Sequence, residues 1–281
     1  MTDRYAVIGH PIAHSKSPAI HAAFAAQTAQ DLSYEALLAP LDGFAAAVAQ
    51  FRAQGGRGMN ITVPFKEEAF RMANRLTERA KLAQAVNTLS FEDGEIKGDN
   101  TDGVGLVRDL EQLGCQLAGA RVLLLGAGGA VRGVVAPLLQ TGVSRLFIAN
   151  RTVERAEKLI GDFADFFAYE MPDTLAAGGW QEAADAPYDV VINATSASLS
   201  DEAPPLPAGL YAQGSLAYDM VYGRGLTAYL KQARDQGAAR LADGLGMLVE
   251  QAAEAFALWR GVRPDTAAVR DTLRAALPPL V

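Results

Sequence analysis

Two polar segments in the first part of the chain carry side chains that can move protons. Asn60–Lys66 runs from the end of a predicted strand into a helix start, and Lys66 stands just past a proline. Gly98–Gly103 is a predicted polar turn that places Asp102 before an amphipathic helix. If the fold brings them together, the carboxylate orients the ammonium, and the lysine can transfer a proton to a substrate oxygen. Taken singly, a solvated lysine and a helix N-cap are the simpler interpretations.

A pair of serines precedes the first predicted helix, in His14-Ser-Lys-Ser-Pro18. Pro18 suits the first helical position, which makes Ser17 the predicted N-cap. Ser15 has no such structural role, and two hydroxyls that both donate and accept suit a hydroxylated or carboxylated small molecule. A Ser–His nucleophile is disfavoured because the sequence has no G-x-S-x-G turn and no triad pattern.

A glycine-rich turn follows the apolar run Val122–Leu125 and opens a helix. This is the context of a dinucleotide-binding fingerprint. Gly126 permits the tight turn, and Gly128 lets backbone N–H groups approach a pyrophosphate at the helix N-terminus. Because Val131 stands where the general fingerprint has Gly or Ala, an ordinary strand-to-helix turn remains an alternative.

The next predicted strand ends at Asn150-Arg-Thr152, where an NAD-binding fold places an acidic residue on the ribose. Instead, Arg151 and Arg155 offer cations and Thr152 a hydroxyl, which suits a 2′-phosphate and predicts NADP. The alternative is that Thr152 caps the helix and both arginines are solvated. Hydride from NADPH and a proton from Lys66 together predict reversible carbonyl reduction of a small polar substrate.

The elements that must position these residues alternate between short β-rich runs and helical patterns, which predicts an α/β fold with mostly parallel sheets. Predicted strands are Tyr5–Ile8, Ser33–Leu37, Gly58–Val63, Val122–Leu125, Leu146–Ala149, Val190–Ile192 and Leu216–Met220. Helices are predicted to start near Pro18, Asp42, Phe65, Gly129, Val153 and Gly225, and to cover Leu245–Trp259 and Thr266–Ala276. A hairpin is expected at Phe91–Ile96, where Asp93-Gly94 is a type I′ turn signal.

Two breaks suggest the domain organisation. Leu113–Leu117 separates a helix from a new strand, glycine loop and helix, so we expect one domain at 1–113 and a second at 114–244. The C-terminal helices, within 245–281, are expected to complete the first domain. Asp201–Pro207 holds three prolines and is expected to be a surface loop near the active cleft.

Composition excludes several classes of protein. The 281 residues include 25 basic and 32 acidic side chains, a formal charge of −7, so nucleic acid and anionic membranes are not expected partners. A single cysteine, Cys115, and three histidines close to the N-terminus exclude an internal disulfide and a structural zinc, and no metal is predicted. Apolar windows are too short or too interrupted to span a bilayer, and the N-terminus does not read as a signal peptide. We expect a cytoplasmic protein.

The motifs in this order resemble those of the shikimate dehydrogenase family nearly end to end. They are Gly9–Pro18, Asn60–Lys66, Ala85–Thr88, Gly98–Gly103, Gly126–Ala130, Asn150–Thr152, Asn193–Ser196, Asp219–Tyr222 and Asp243–Gln251. The resemblance implies two α/β domains with a cleft between them, the second Rossmann-like. It also implies NADPH-dependent reduction of 3-dehydroshikimate to shikimate.

The resemblance further implies roles for individual residues. Lys66 and Asp102 would be the catalytic pair. The substrate would be held by these two and by Ser15, Ser17, Thr62, Asn87, Tyr222 and Gln251. NADP would be held by Gly126, Ala127, Gly128, Gly129, Ala130, Asn150, Arg151, Thr152, Arg155, Thr195, Met220, Gly244 and Met247.

Two features depart from the family pattern: Val131, and the turn Gly223–Thr227, where many members carry a proline. They put loop geometry and cofactor affinity in question. One alternative is a quinate/shikimate dehydrogenase with broader substrate use and NAD, against which the missing acid after the second Rossmann strand argues. Another is a non-catalytic NADP-binding sensor, against which the retained Lys66 and Asp102 argue. The family includes monomers and homodimers, and the sequence does not decide between them.

Overall fold

The structure is a computed structural model that describes residues 2–167 and 174–280. The chain forms two compact units. Unit 1 comprises Met1–Gly105 and Leu248–Asp271, and unit 2 comprises Leu106–Met247 and Thr272–Val281. Among the described residues, no helix combines the length and apolar character needed to cross a membrane.

Ten α-helices occur among the described residues. They are α1 (Ser17–Thr28), α2 (Phe44–Ala53), α3 (Lys66–Met72), α4 (Glu78–Ala83), α5 (Asp102–Gln112), α6 (Gly129–Gln140), α7 (Val153–Phe167), α8 (Ala228–Asp235), α9 (Leu245–Arg260) and α10 (Ala267–Ala275). Their sequences are amphipathic where they cover a sheet. Helix α2, for example, buries Phe44, Val48 and Phe51, which share one face at helical spacing.

Unit 1 contains a six-stranded mixed sheet. Its strands are β1 (Asp3–Gly9), β2 (Leu32–Leu38), β3 (Gly56–Ile61), β4 (Arg75–Leu76), β5 (Thr88–Glu92) and β6 (Glu95–Asp99), in the order β2-β1-β3-β5-β6-β4. Strands β2 and β3 run parallel to β1, whereas β5 is antiparallel to both β3 and β6. The turn between β5 and β6 has φ +48° at Asp93 and +82° at Gly94, so the predicted hairpin is confirmed.

One core cluster of unit 1 packs against this sheet beneath α2 and the start of α3. Ile8 and Met59 on neighbouring strands are fully buried, and Phe44 stacks on Phe65 with ring centroids 4.9 Å apart. A cluster of charged residues lies at the end of β6. Arg79 donates to Asp99 at 2.6 and 2.8 Å and to Glu254 at 3.0 Å, so it joins α4, β6 and α9 within unit 1.

Unit 2 contains a six-stranded sheet in which every recorded strand pair is parallel. Its strands are β7 (Arg121–Leu125), β8 (Arg145–Ala149), β9 (Leu175–Gly178), β10 (Tyr188–Asn193), β11 (Tyr211–Asp219) and β12 (Arg240–Asp243). The order is β12-β11-β10-β7-β8-β9. Counted from β7, this is the 3-2-1-4-5-6 order of the Rossmann fold, whose strand order reverses between β7 and β10. The predicted α/β class, with one Rossmann-like unit of two, is confirmed.

The carboxyl ends of five parallel strands of unit 2 lie in one row. Strand pairing joins residues that are neighbours across the sheet, in the order Ala149, Leu125, Asn193, Asp219 and Asp243. The segments that follow these residues therefore emerge side by side along one edge. In open α/β sheets this is the edge at which ligands bind.

Several local predictions were wrong. Strand β3 ends at Ile61 and not at Val63, because a turn closed by Phe65 N–H on the Thr62 carbonyl leads directly into α3. Gly98 belongs to β6 and not to a turn, since it pairs with Leu89. Helix α1 begins at Ser17 with Lys16 at the N-cap position and no capping bond from a side chain.

Candidate active site

Lys66 and Asp102 meet in unit 1, 36 positions apart in the sequence. Lys66 is the first residue of α3 and Asp102 is the first residue of α5. The Lys66 Nζ lies 2.6 Å from the Asp102 Oδ2, with 27% and 12% of the two side chains exposed. Asp102 therefore orients a lysine that still reaches solvent, and a lysine so held retains further N–H donors for a substrate oxygen.

The second carboxylate oxygen of Asp102 is held by Asn87, which precedes β5. Asn87 Nδ2 donates to Asp102 Oδ1 at 2.8 Å and to Thr101 Oγ1 at 2.9 Å. Its Oδ1 accepts from the Thr101 backbone N–H at 2.8 Å and from Thr88 Oγ1 at 2.9 Å. Asn87 is 2% exposed, so these bonds are shielded from water and fix which way its amide points.

The two serines lie at the start of α1 in the same unit. Ser15 is partly exposed, and its Oγ accepts a 3.3 Å bond from the Ser17 backbone N–H. Ser17 is buried, and because it is not the N-cap, its hydroxyl is free of the capping role that the sequence suggested. Thr62 follows β3 directly and lies close to Gly9: a Cβ added at Gly9 would be 2.4 Å from the Thr62 Cγ2.

Gln251 of α9 also reaches the Asn87 amide. Its Oε1 lies 3.5 Å from Asn87 Nδ2 and 3.5 Å from Thr101 Oγ1, and its Nε2 donates to the Leu248 carbonyl at 2.8 Å. Unit 1 thus brings Lys66, Asp102, Asn87 and Gln251 into one hydrogen-bonded group. Tyr222 belongs to unit 2, where burial, with a smaller effect of the Asp243 charge, raises its pKa.

The glycine turn of unit 2 has the backbone that a pyrophosphate requires. Gly126 adopts φ +113°, in the region that favours glycine, and its N–H donates to the Ala149 carbonyl at 2.8 Å. Gly128 is the N-cap of α6, with an extended backbone and no side-chain cap. A Cβ at Gly128 or Gly129 would meet no atom of the described residues within 4 Å, so the first N–H groups of α6 are open to a ligand on this side.

The segment after β8 presents the predicted cations. Arg151, Thr152 and Arg155 are all exposed, and Asn150 Nδ2 donates to the Thr152 carbonyl at 2.8 Å, which shapes the turn. Two arginines and a hydroxyl at this edge fit the 2′-phosphate of NADP. The end of β8 lacks the acidic residue that would bind the ribose 2′-hydroxyl of NAD. The turn and this segment therefore fit NADP.

The remaining predicted cofactor residues follow the other strands of the row. Thr195 comes after β10 and donates to Asn193 Oδ1 at 2.7 Å. Met220 comes after β11, and Gly244 lies so close that a Cβ there would be 2.3 Å from the Met220 carbonyl oxygen. Met247 is buried in the first turn of α9. All thirteen predicted cofactor residues belong to unit 2.

The two departures from the family pattern have structural explanations. Val131 is fully buried on the core face of α6, so its side chain packs into unit 2 and does not crowd the glycine turn. In the second departure, Gly223 and Gly225 both have positive φ, at +76° and +63°. Glycine tolerates that conformation, so these two residues can make the turn without the proline that the resemblance led us to expect.

A parallel sheet in Rossmann order with an open glycine turn after its first strand defines unit 2 as a dinucleotide-binding α/β unit. Family models match three parts of the chain. The shikimate dehydrogenase substrate binding domain matches residues 7–89, the shikimate / quinate 5-dehydrogenase model matches 109–200, and the shikimate 5'-dehydrogenase C-terminal domain matches 244–274.

Individual relatives match the whole chain. A shikimate dehydrogenase (NADP(+)) from Dechloromonas aromatica is 62% identical over 278 residues, 99% of each chain. The crystal structure of an Ael1 enzyme from Pseudomonas putida is 54% identical with a TM-score of 0.92, covering 100% of both chains. That of the Thermus thermophilus shikimate 5-dehydrogenase in complex with NADP(H) and shikimate is 35% identical with a TM-score of 0.85, covering 98% of this chain and 100% of that one. The chain belongs to the shikimate dehydrogenase family, as the sequence motifs predicted.

The sequence did not single out four residues that complete the polar group of unit 1: Tyr34, Asn60, Thr88 and Thr101. Three of them stand inside the quoted motifs, beside residues that were assigned a role. Tyr34 has no such signal, because it sits in a strand whose residues alternate between partly buried and exposed. Only the folded sheet shows that its hydroxyl reaches Asn60, 2.7 Å from Oδ1.

Proposed function

We propose that this chain catalyses the reversible reduction of 3-dehydroshikimate to shikimate, with NADP as its cofactor. The observation that carries the proposal is the Lys66–Asp102 pair, 2.6 Å apart and with Asp102 also bonded to Asn87, in a member of the family. This is an arrangement for moving a proton, which carbonyl reduction needs and simple ligand binding does not.

In the reducing direction, Lys66 Nζ donates a proton to the carbonyl oxygen of the substrate as that oxygen gains negative charge. Asp102 keeps the ammonium aimed at this oxygen, and the amine regains its proton from solvent, which it reaches through its exposed fraction. In the oxidising direction, the amine accepts the hydroxyl proton. The cofactor supplies or accepts the hydride at the substrate carbon.

The substrate hydroxyls and carboxylate would be held by the polar side chains that the sequence motifs predict. Donors and acceptors of the kinds needed are the side chains of Ser15, Ser17, Thr62, Lys66, Asn87, Asp102, Tyr222 and Gln251. The substrate domain would contain unit 1, and its bounds, 1–113 completed by 245–281, stay a prediction.

Unit 2 would hold NADP, and the predicted bounds of the NADP domain, 114–244, lie within it. The pyrophosphate would lie on the N–H groups after Gly126, and the 2′-phosphate on Arg151, Thr152 and Arg155. Thr195, Met220, Gly244 and Met247 would contact the rest of the cofactor. The cytoplasmic location, the absence of nucleic-acid partners and the choice between monomer and homodimer stay predictions.

A spectrophotometric assay of shikimate oxidation with NADP and with NAD, repeated with quinate, tests the proposal. We expect turnover of shikimate with NADP and much weaker activity in the other combinations. Efficient turnover of quinate with NAD would instead indicate the broader quinate/shikimate dehydrogenase. Binding of NADP by calorimetry without turnover of either compound would indicate a sensor that has lost the chemistry.

A further inference from the structure

A hydrogen bond between two strands of unit 1 links residues with no role so far. Tyr34 of β2 reaches across β1 and donates from its hydroxyl to Asn60 Oδ1 on β3, at 2.7 Å. Asn60 is 5% exposed. The Tyr34 ring is fixed from its face by His21, whose ring stacks on it with centroids 4.1 Å apart and planes 4° apart.

The direction of this bond is set by what lies on the other side of Asn60. Asn60 Nδ2 donates to the Asn87 backbone carbonyl at 3.2 Å and to Thr88 Oγ1 at 3.1 Å. A carbonyl oxygen only accepts, so the amide nitrogen of Asn60 must face it and the amide oxygen must face Tyr34. Tyr34 therefore donates to Asn60, and its own oxygen can accept a bond from Ser17. Burial raises the pKa of Tyr34, and the bond from Ser17 opposes this effect.

The same chain of donors continues to the proton-transfer pair. Thr88 Oγ1 donates to Asn87 Oδ1 at 2.9 Å, and Asn87 Nδ2 donates to Asp102 Oδ1 at 2.8 Å. Each amide can take only one orientation if all of these bonds are kept. The Tyr34 hydroxyl is thereby connected to the Asp102 carboxylate. The connecting residues, Asn60, Thr88 and Asn87, are almost fully buried.

We propose that Tyr34 and Asn60 are positioning residues, which fix the Asn87 amide and through it the Asp102–Lys66 pair. The inference rests on the proposed function for its kinetic consequence, but the network itself is independent of it. Removing the Tyr34 hydroxyl leaves the buried Asn60 Oδ1 without that donor, so the Asn60 amide is held from one side only, by the Asn87 carbonyl and Thr88. Asn60 then holds Thr88 less tightly, and the Asn87 amide that donates to Asp102 is less precisely placed.

The test is Tyr34→Phe, which keeps the ring stacked on His21 and removes only the hydroxyl. We expect a fall in kcat for shikimate oxidation on the order of 10- to 10²-fold, as for misplaced catalytic groups, with KM for NADP unchanged. Tyr5→Phe is the matched control. It removes the hydroxyl of another buried tyrosine of the same unit, one stacked on Trp259 and outside the network, and should retain wild-type kcat.

A double-mutant cycle separates positioning from general weakening. In an Asp102→Asn background, Tyr34→Phe should cause little further loss, because the route through Asp102 is already broken. An equal loss in both backgrounds, or wild-type kcat in Tyr34→Phe, would overturn the inference. Thr88→Val interrupts the same chain at another point, and should show the same kcat loss if Tyr34→Phe does not fold.

The side-chain amide signals of Asn60 and Asn87 in ¹⁵N NMR spectra give a readout that needs no turnover. Both should move in Tyr34→Phe and stay in place in Tyr5→Phe. If the wild type shows no activity on shikimate, the proposed function fails and these signals still decide whether the network exists. Unmoved signals in Tyr34→Phe would contradict the network itself.

Discussion

Gly105 of α5 lies against Gln251 of α9 so closely that a Cβ at position 105 would be 2.8 Å from both the Cβ and the backbone nitrogen of Gln251. The obstacle includes backbone, which cannot swing aside as a flexible side chain can. Glycine at 105 is therefore what lets α9 bring the Gln251 side chain to Asn87.

Gly105→Ala should push α9 away from α5 and move Gln251. Overpacking of this kind costs about 1–3 kcal/mol, so we expect a lower melting temperature together with a raised KM for shikimate. KM for NADP should change little. Gly161→Ala is the control. This glycine is exposed in α7, and a Cβ there would meet no atom of the described residues within 4 Å, so the change should be neutral or slightly stabilising.

Lys66→Ala should lower kcat by ~10²–10⁴-fold with little change in KM for shikimate, since the proton is transferred only in the transition state. Asp102→Asn should be impaired similarly. If the two side chains act as a unit, the double variant should be far less impaired than the product of the single losses. Steady-state kinetics decide the matter, and a Lys66→Ala enzyme with wild-type kcat and a raised KM would show that the lysine only binds.

Arg151→Asp should weaken NADP much more than NAD. A charge-assisted bond is worth about 1.5–3 kcal/mol, so two of them predict a wild-type preference for NADP of about 10²-fold or more. Because these side chains are exposed, added salt should reduce the preference. Lys158→Asp, an exposed charge reversal on α7, which follows Arg151, should leave the ratio nearly unchanged. Equal kcat/KM for the two cofactors in the wild type would favour a mere capping role for the turn.

Arg79→Met should destabilise the protein near neutral pH by about 3–5 kcal/mol, because Asp99 would be buried without its partner. Burial alone would raise the Asp99 pKa, but the bonds and charge of Arg79, together with bonds from Thr77 and the Asn100 backbone, lower that pKa overall. The stabilisation is thus complete above about pH 3.9 and is lost as pH falls toward the lower folded-state value. The deficit of the variant, measured by denaturant unfolding, should shrink in acid. Arg75→Met breaks only an exposed pair with Glu95 and should cost less than about 1 kcal/mol.

His21→Phe should flatten the dependence of stability on pH below neutrality. Burial lowers the pKa of His21 to about 3, with a smaller opposing effect of the Asn60 amide. A depressed histidine pKa means that stability is complete above about pH 6.5 and declines as pH falls toward the folded-state value, by up to about 1.4 kcal/mol per pH unit. Parallel unfolding curves for the variant and wild type across this range would contradict the assignment. His14→Asn, at an exposed site, should leave the wild-type dependence intact.

The sequence predicted elements wherever an apolar run or a turn signal was strong. Val122–Leu125 and Leu146–Ala149 are buried strands as expected, since a parallel sheet covered on both faces demands such runs. It missed β4, which has only two residues, and β9, whose Leu-Ala-Ala-Gly has no β-branched residue. It also missed β12, because Arg240 and Asp243 place charges at both ends of the strand. These strands exist because a neighbouring strand pairs with them.

Site residues could be predicted where a short motif contains a reactive or charged side chain in a recognisable position. Lys66 and Asp102 could be named because each stands in a polar segment before a helix, although their 2.6 Å separation required the fold. Tyr34 could not be named, because a half-buried tyrosine in an edge strand is usually only packing. Its connection to Asn60 depends on sheet register across β1, which no short segment encodes.

In unit 2 the last residues of five strands form one row, so each segment that follows a strand can be changed separately from the sheet. Register is held by backbone pairing on the amino-terminal side of the row, so the segments beyond it can vary without disturbing the strands. The segment from Asn150 to Arg155 can therefore be exchanged for one with an acidic residue while the glycine turn beside it is kept. We therefore expect that exchanging this one segment can change the cofactor preference without rebuilding the sheet.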